Sequence, residues 1–305
     1  MKNPTVSIVL CVYNEEEDLP GCLDNLMKQS LKDFEIIVVD DGSSDKTVEI
    51  AEKHEIGKKH KVRIIKQKHL GLGAARNNGV KNSEGKIVAF LDADMKFHKD
   101  YLKELIKPIQ EGKHFGTTHG QEYANNLESS WARCWGKIRI LKGYKNPKNY
   151  RAILRSKFLK TKGFDPSWGY ADDQSLTAQV GYAMIADKAI CYHKNPSTLK
   201  DTFRQMRWVG GSYSLKKMVK ILAAPFIVYT ALLIAFWRNF LTAISLTLKL
   251  VLALYLLYMV YSTIKASLRE KDVTLLCLYP IFNTVRIFGV LAGIARKATR
   301  KGIMM

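Results

Sequence analysis

Four short strand-like segments constrain the fold most. Thr5 to Cys11 (TVSIVLC), Phe34 to Val39 (FEIIVV) and Ile87 to Leu91 are continuous apolar runs, and Val62 to Lys66 is a shorter one. Helical patterns lie between them. A strand that is apolar throughout has both faces buried, which indicates a mostly parallel sheet covered by helices on both sides. Leu19, Leu23 and Leu26 recur at helical spacing, with Asn14 expected as the helix cap and Glu17 in the capping-box position. Further helices are expected from about Lys46, after Gly73, and from about Lys99 to Gln110. In such sheets ligands bind beyond the carboxyl ends of the strands. Asp40, Asp41, Asp92 and Asp94 all fall at those ends.

The rest of the chain is less uniform. Within residues 113–200, Leu127 to Leu141 is expected to be helical, Ala152 to Leu154 a strand, and 160–176 a loop entering a helix. From Val219 onward the sequence turns apolar. Val219 to Trp237, Phe240 to Ser262 and Val273 to Ala295 each approach the ~20 residues that span a bilayer. Residues 1–211 therefore read as one domain and 212–305 as a membrane domain. A buried helical core is the alternative. Lys249 interrupts the second stretch; Asn283 and Arg286 interrupt the third. The loop expected at 263–272 carries Lys265, Arg269 and Lys271, so it belongs on the cytoplasmic side with the first domain. Three spans would put Arg296, Lys297, Arg300 and Lys301 outside. Two spans plus an in-plane helix is the competing arrangement.

The formal net charge is +20, which calls for an anionic partner. The apolar C-terminal part favours a membrane surface, and no nucleic-acid-binding motif is present. The five cysteines contain no CxxC pair, which fits reduced thiols in a cytoplasmic domain. Val6 to Val12 is too short for a signal peptide and runs straight into acidic residues.

Asp92-Ala93-Asp94 places two carboxylates one residue apart, where they repel each other. The pair suits Mg²⁺ or Mn²⁺, which prefer oxygen ligands and commonly share them with substrate phosphates. A second acidic pair, Asp172-Asp173, precedes a helix. One reading makes it a helix cap; the other makes it a general base.

The segments SIVLCVYNEEEDL (7–19), FEIIVVDDGSSDKT (34–47), HLGLGAARNNGV (69–80), IVAFLDADMKF (87–97), GFDPSWGYADDQSL (163–176) and FRQMRWVGG (203–211) come in a recognisable order and spacing. Together they resemble the family-2 glycosyltransferases, whose GT-A fold binds nucleotide sugars. The resemblance implies that Tyr13, Glu15 and Asp41 contact the nucleotide base and ribose, with Arg76 near the base or phosphates. Asp92 would hold the ribose or sugar and, with Asp94, ligate the metal. Asp173 would be the catalytic base, with Asp172 beside it. His193 would be a third metal ligand or a diphosphate contact; a structural histidine is the alternative. Arg204, Arg207 and Trp208 would meet the diphosphate, although Trp208 also suits an interfacial anchor.

The expected reaction is inverting transfer from a UDP- or GDP-linked sugar, assisted by Mg²⁺ or Mn²⁺, to a lipid acceptor at the cytoplasmic face of the cell membrane. The general plan is that of dolichyl-phosphate mannose synthases and related polyprenyl-phosphate and lipid glycosyltransferases. The stretch MKFHKDYL lacks the Ser-His-Pro-Pro pattern those enzymes usually show. Alternatives are transfer to a growing polysaccharide or lipid-linked oligosaccharide, and a non-catalytic membrane scaffold. Arg204 stands where processive polysaccharide synthases carry Gln, which argues against processivity.

Overall fold

The computed structural model describes residues 3–55, 62–140, 146–211 and 240–302. The expected stretch 219–237 lies outside them. The chain divides into two compact units, Met1–Asn125 with Lys137–Asn195, and Asn126–Gly136 with Pro196–Met305.

The first unit is an α/β sandwich. Strands β1 (Val6–Val12), β2 (Phe34–Asp40), β3 (Val62–Lys66) and β4 (Ile87–Asp92) are parallel, in the order β3-β2-β1-β4. Beyond β4 the sheet becomes mixed. Strands β5 (Met95–Phe97), β6 (Gly116–Ala124), β7 (Ile138–Ile140), β8 (Ala152–Leu154) and β9 (Met184–His193) continue it as β4-β8-β6-β9-β5, with β7 on β6. Only the β6–β9 pair is parallel there.

Helices α1 (Leu19–Met27), α2 (Thr47–Glu55), α3 (Leu72–Lys81) and α4 (Tyr101–Gln110) connect the first strands. Side chains alternate across the sheet. Val6, Ile8, Leu10, Ile36 and Val38 pack with Leu19, Leu23, Leu26, Tyr101, Leu105 and Ile109 on one face. Val9, Ile37, Val39, Val88 and Phe90 pack with Ala75, Phe158, Phe164 and Leu176 on the other. Both faces are filled, which is why the runs are mostly apolar, with the buried Ser7 and Glu35 hydrogen-bonded to each other at 2.6 Å.

Helix α3 lies close to β1. A Cβ added at Gly79 would fall 2.3 Å from Val9 Cγ1. Gly79→Val is therefore expected to destabilise the protein by about 1–3 kcal/mol and to displace α3 with Arg76 on it. Thermal unfolding and nucleotide affinity measured together would check this. An unchanged melting temperature would contradict the packing.

Three local expectations are corrected. Asn14 does not cap α1. It takes a left-handed backbone (φ 57°), and its Oδ1 accepts from Ser44 N at 2.8 Å. Asp18 occupies the cap position instead. Leu127 to Leu141 is not one helix: α5 covers only Ser130–Cys134, Gly136 turns the chain at φ 97°, and β7 follows. Residue 141 lies outside the described part. The expected loop 263–272 is mostly helix.

Helix α6 (Arg155–Phe158) and α7 (Asp172–Val180) complete the first unit. The second contains α5, α8 (Leu199–Gly211), α9 (Phe240–Glu270) and α10 (Leu275–Gly302). Ser245–Glu270 and Leu275–Lys297 are long and apolar enough to cross a membrane. The polar residues of the last stretch are used between helices. Asn283 Nδ2 donates to Ser262 Oγ at 3.1 Å, and Tyr255 and Thr284 share a hydrogen bond at 3.0 Å. The Arg286 guanidinium sits 5.2 Å from the Trp135 ring centre. α8 and α10 meet at small residues: a Cβ at Gly293 would come within 2.0 Å of the Arg207 carbonyl oxygen.

Candidate active site

The carboxyl ends of β1, β2 and β4 open onto one rim, and α3 organises it. Its Asn78 Nδ2 donates to Gln67 Oε1 at 2.8 Å, and Gln67 Nε2 donates to Asp41 Oδ1 at 2.7 Å. Asn77 clamps Phe164 by both backbone groups, at 2.7 and 2.9 Å. Arg76, between them in space and buried, reaches the acids. The run Ala75-Arg76-Asn77-Asn78 thus ties three loops to one helix.

Asp41 is buried. Its carboxylate accepts from Leu70 N and Gly71 N, both at 2.9 Å, and lies 2.9 Å from His69 Nδ1. The His69 ring stands 4.2 Å from that of Tyr13, which is 45% exposed. The two rings are tilted by 31° to each other, and the open Tyr13 ring offers a face on which a base would stack. Asp41 therefore shapes this surface through loop 67–71. Asp41→Asn sets an NH₂ against backbone donors; it is expected to weaken nucleotide binding about tenfold and stability by about 1–3 kcal/mol. Calorimetric titration with UDP and GDP checks it. Unaltered affinity for both would contradict the role.

Arg76 Nη1 lies 3.0 Å from both oxygens of Asp172 and 3.0 Å from Asp173 Oδ1. Its Nη2 lies 3.5 Å from Asp92 Oδ1. Asp172 is 1% exposed, and burial pushes its carboxyl up to about 6 against the pull of Arg76. Asp173 is more open, at the first turn of α7, and Gly169 (φ 58°) sets the bend that delivers it.

Asp92 and Asp94 sit in unlike surroundings. Asp92 is held by Arg76 and by Arg151, whose Nη1 is 2.6 Å from its Oδ2. The two guanidiniums outweigh burial and lower its pKa. Asp94 is exposed, and among the described residues no cation pairs with it. Desolvation first, then Asp92, pushes its carboxyl up to about 7. Glu15 is pushed up to about 8 by burial and then by Asp94. Asp94 and Glu15 are hard oxygen donors lacking positive charge, which fits a divalent cation that takes its other ligands from water and phosphate. Among the described residues, no three His, Cys, Asp or Glu side chains form a ready cage.

His193 lies beside this turn, since β9 pairs it with Met95. Its Nδ1 is 3.0 Å from Glu122 Oε1 and its Nε2 is 2.7 Å from Asn195 Oδ1. Metal ligation would require release of one of these contacts. The other Glu122 oxygen is 3.2 Å from Nε2 of the buried His119. Arg204, Arg207 and Trp208 are not on this rim's strands and loops. They lie on α8 of the second unit, all exposed, at spacings that share one helix face. Sequence reasoning missed Arg151, Asn77 and Glu122. Asn77 lies in the segment 69–80 but only its neighbour Arg76 stands out there; Arg151 immediately precedes β8, and no short motif marks it or Glu122.

A family model, glycosyl transferase family 2, matches residues 7–170. A putative glycosyltransferase EpsH from Bacillus subtilis is 36% identical over 107 residues, 35% of this chain and 31% of that protein. Glycosyltransferase GlyA from Streptococcus pneumoniae is 31% identical over 173 residues, 54% of this chain and 24% of that protein. The match thus spans about a third or less of each of these relatives. Among solved structures, S. aureus TarS 1-349 superposes with a TM-score of 0.51 at 25% identity, covering 68% of this chain and 65% of that one. The mannosyltransferase PcManGT from Pyrobaculum calidifontis, in complex with GDP-Man and Mn2+, superposes with a TM-score of 0.57 at 18% identity, covering 98% and 88%. The latter likeness concerns the fold, a GT-A fold followed here by two apolar helices. With more than half of its length matched by the family model, the chain belongs to glycosyl transferase family 2.

Proposed function

We propose that the chain moves a sugar, with inversion, from a nucleoside-diphosphate sugar to a lipid-anchored acceptor at a membrane face. The observation that carries this reading is the grouping of Asp92, Asp172 and Asp173 around the buried Arg76, beside an Asp94 that forms no ion pair among the described residues. Structures of similar fold are named as complexes with UDP-GlcNAc and with GDP-Man and Mn2+, which supports a UDP- or GDP-linked donor.

The roles follow from the chemistry of each group. Tyr13 and His69 stack against the base. Arg76 fixes the orientation of Asp173. Asp173 takes the proton of an acceptor hydroxyl as that oxygen attacks the anomeric carbon and the bond to the diphosphate breaks. A phosphate acceptor would arrive already ionised, so a base here favours a hydroxyl. Asp94, with Glu15 beside it, would hold Mg²⁺ or Mn²⁺, whose charge offsets that building on the leaving diphosphate. Arg204 and Arg207 supply positive charge for an anionic head group, and Trp208 suits the membrane interface. Residues 1–211 carry the chemistry in this reading and 212–305 anchor it, with the transferase part cytoplasmic because Lys265, Arg269 and Lys271 favour that side.

The test is to supply labelled UDP- and GDP-sugars to the purified protein in vesicles of native membrane lipid. Label is expected in the lipid phase. Transfer to water-soluble acceptors alone would overturn the acceptor reading. A scaffold would neither transfer the sugar nor hydrolyse the donor with Mn²⁺.

A further inference from the structure

We infer that Arg151 is a positioning residue that keeps Asp92 out of metal coordination and free to serve the donor. The inference rests on the proposed metal-assisted transfer and adds a residue that no family motif marks. Each Asp92 oxygen faces a guanidinium, Oδ2 that of Arg151 at 2.6 Å and Oδ1 that of Arg76 at 3.5 Å. A carboxylate held on both sides by cations is a poor ligand for a third. Asp94, two residues on, forms no ion pair among the described residues and feels Arg151 only from farther off.

The direct side-chain contact of Arg151 is with Asp92, although its charge also reaches Tyr101 and Asp173. Asp92 is the one hydrogen-bond partner of its guanidinium among the described residues, and its Nε is buried without a partner. Burying a guanidinium with a single partner is costly, so packing alone would favour an apolar residue. The backbone is nonetheless fixed firmly. Arg151 N donates to Thr117 O at 2.8 Å and its carbonyl accepts from Phe90 N at 2.9 Å. The guanidinium is thus mounted between β4 and β6, on rigid sheet rather than on a mobile loop. A stiff mount on this side of Asp92 and α3 on the other give the carboxylate one orientation. The two acids of the Asp92-Ala93-Asp94 triplet are thereby given separate tasks.

The experiment measures Mn²⁺ binding by electron paramagnetic resonance, on the full chain in detergent, with UDP or GDP present. Arg151→Met frees Asp92 to join Asp94, so Mn²⁺ affinity is expected to rise about tenfold, within the range outer partners contribute, while the donor KM rises. The gain is expected to vanish when Asp92→Asn is added, as a double-mutant cycle requires. No gain, or a gain that persists with Asp92→Asn, would overturn the inference, because the latter is a plain charge effect. Arg151→Gln, which still donates to Asp92 but carries no charge, is expected to give a smaller gain that Asp92→Asn also removes. It serves if the Met variant does not fold. Asp94→Ala separates the two claims. Loss of Mn²⁺ binding there with no response at Arg151 sinks only the Arg151 role, whereas unchanged binding sinks the metal reading beneath it.

Discussion

Asp173→Asn is expected to lower sugar transfer by about 10²–10⁴-fold, the range a positioned general base contributes, with nucleotide-sugar affinity nearly unchanged. The substitution keeps the size of the side chain and removes its basicity. Arg76 keeps both oxygens of Asp172 at 3.0 Å, so the buried guanidinium is not left alone and the fold should hold. Steady-state kinetics and calorimetric titration on one preparation separate the outcomes. A loss in kcat alone marks the base, since it removes an interaction used only in the transition state. Equal losses in kcat and donor affinity would mark a structural role. Full retention of transfer would mean that the acceptor arrives ionised, and the hydroxyl reading would fall.

The second large effect concerns Asp94. Asp94→Ala is expected to weaken Mn²⁺-dependent donor binding by about 10–100-fold or more, since even an outer-shell partner of a metal is worth that much. Donor binding without metal should change little. The side chain is exposed, and among the described residues no cation pairs with it, so its removal leaves no buried charge behind. The melting temperature is expected to stay the same or rise slightly, because one member of a repelling acid cluster is gone. A large fall in stability would contradict that picture.

The legible part of this fold is the part whose burial is written in side-chain pattern. β1, β2 and β4 are apolar on both faces, and they appear where the runs predict them. Asp40 and Asp92 close their strands for the same reason: the apolar run stops where the sheet meets the rim. In the second half of the sheet β8 appears where Ala152 to Leu154 was expected, while β6 and β9 carried no strand signal. β6 reads Gly-Thr-Thr-His-Gly-Gln-Glu-Tyr-Ala, yet Thr117, Thr118 and His119 are fully buried. One face is covered by α4, where Thr117 Oγ1 donates to the Leu105 carbonyl at 2.6 Å, and polar residues buried in this way leave no apolar periodicity. Asn14 shows the converse. The capping pattern was present, but the backbone spent the residue on a left-handed turn tied to Ser43 and Ser44. The polar residues interrupting 273–295 looked like faults in a span. In the structure Asn283 bonds to Ser262 and Arg286 lies over Trp135.

The site was legible as residue types and illegible as partners. The acids at 41, 92, 94, 172 and 173 could be picked out individually. That Arg76 would gather three of them, that Asp41 would be consumed by loop 67–71, and that Arg151 would hold Asp92 depends on contacts between segments as much as 97 residues apart. His193 illustrates the cost. Its type suits a ligand, while Asn195 Oδ1 meets its Nε2 and the Glu122 carboxylate lies beside its Nδ1.

The most direct measurement follows release of UDP or GDP from labelled nucleotide sugars, by the full chain in lipid vesicles, with Mn²⁺ or with excess chelator. Wild-type protein should turn over with Mn²⁺, stop in chelator and recover when metal is restored, while Asp94→Ala should stay near background throughout. Undiminished turnover by the Asp94→Ala protein in chelator would contradict the account at its centre.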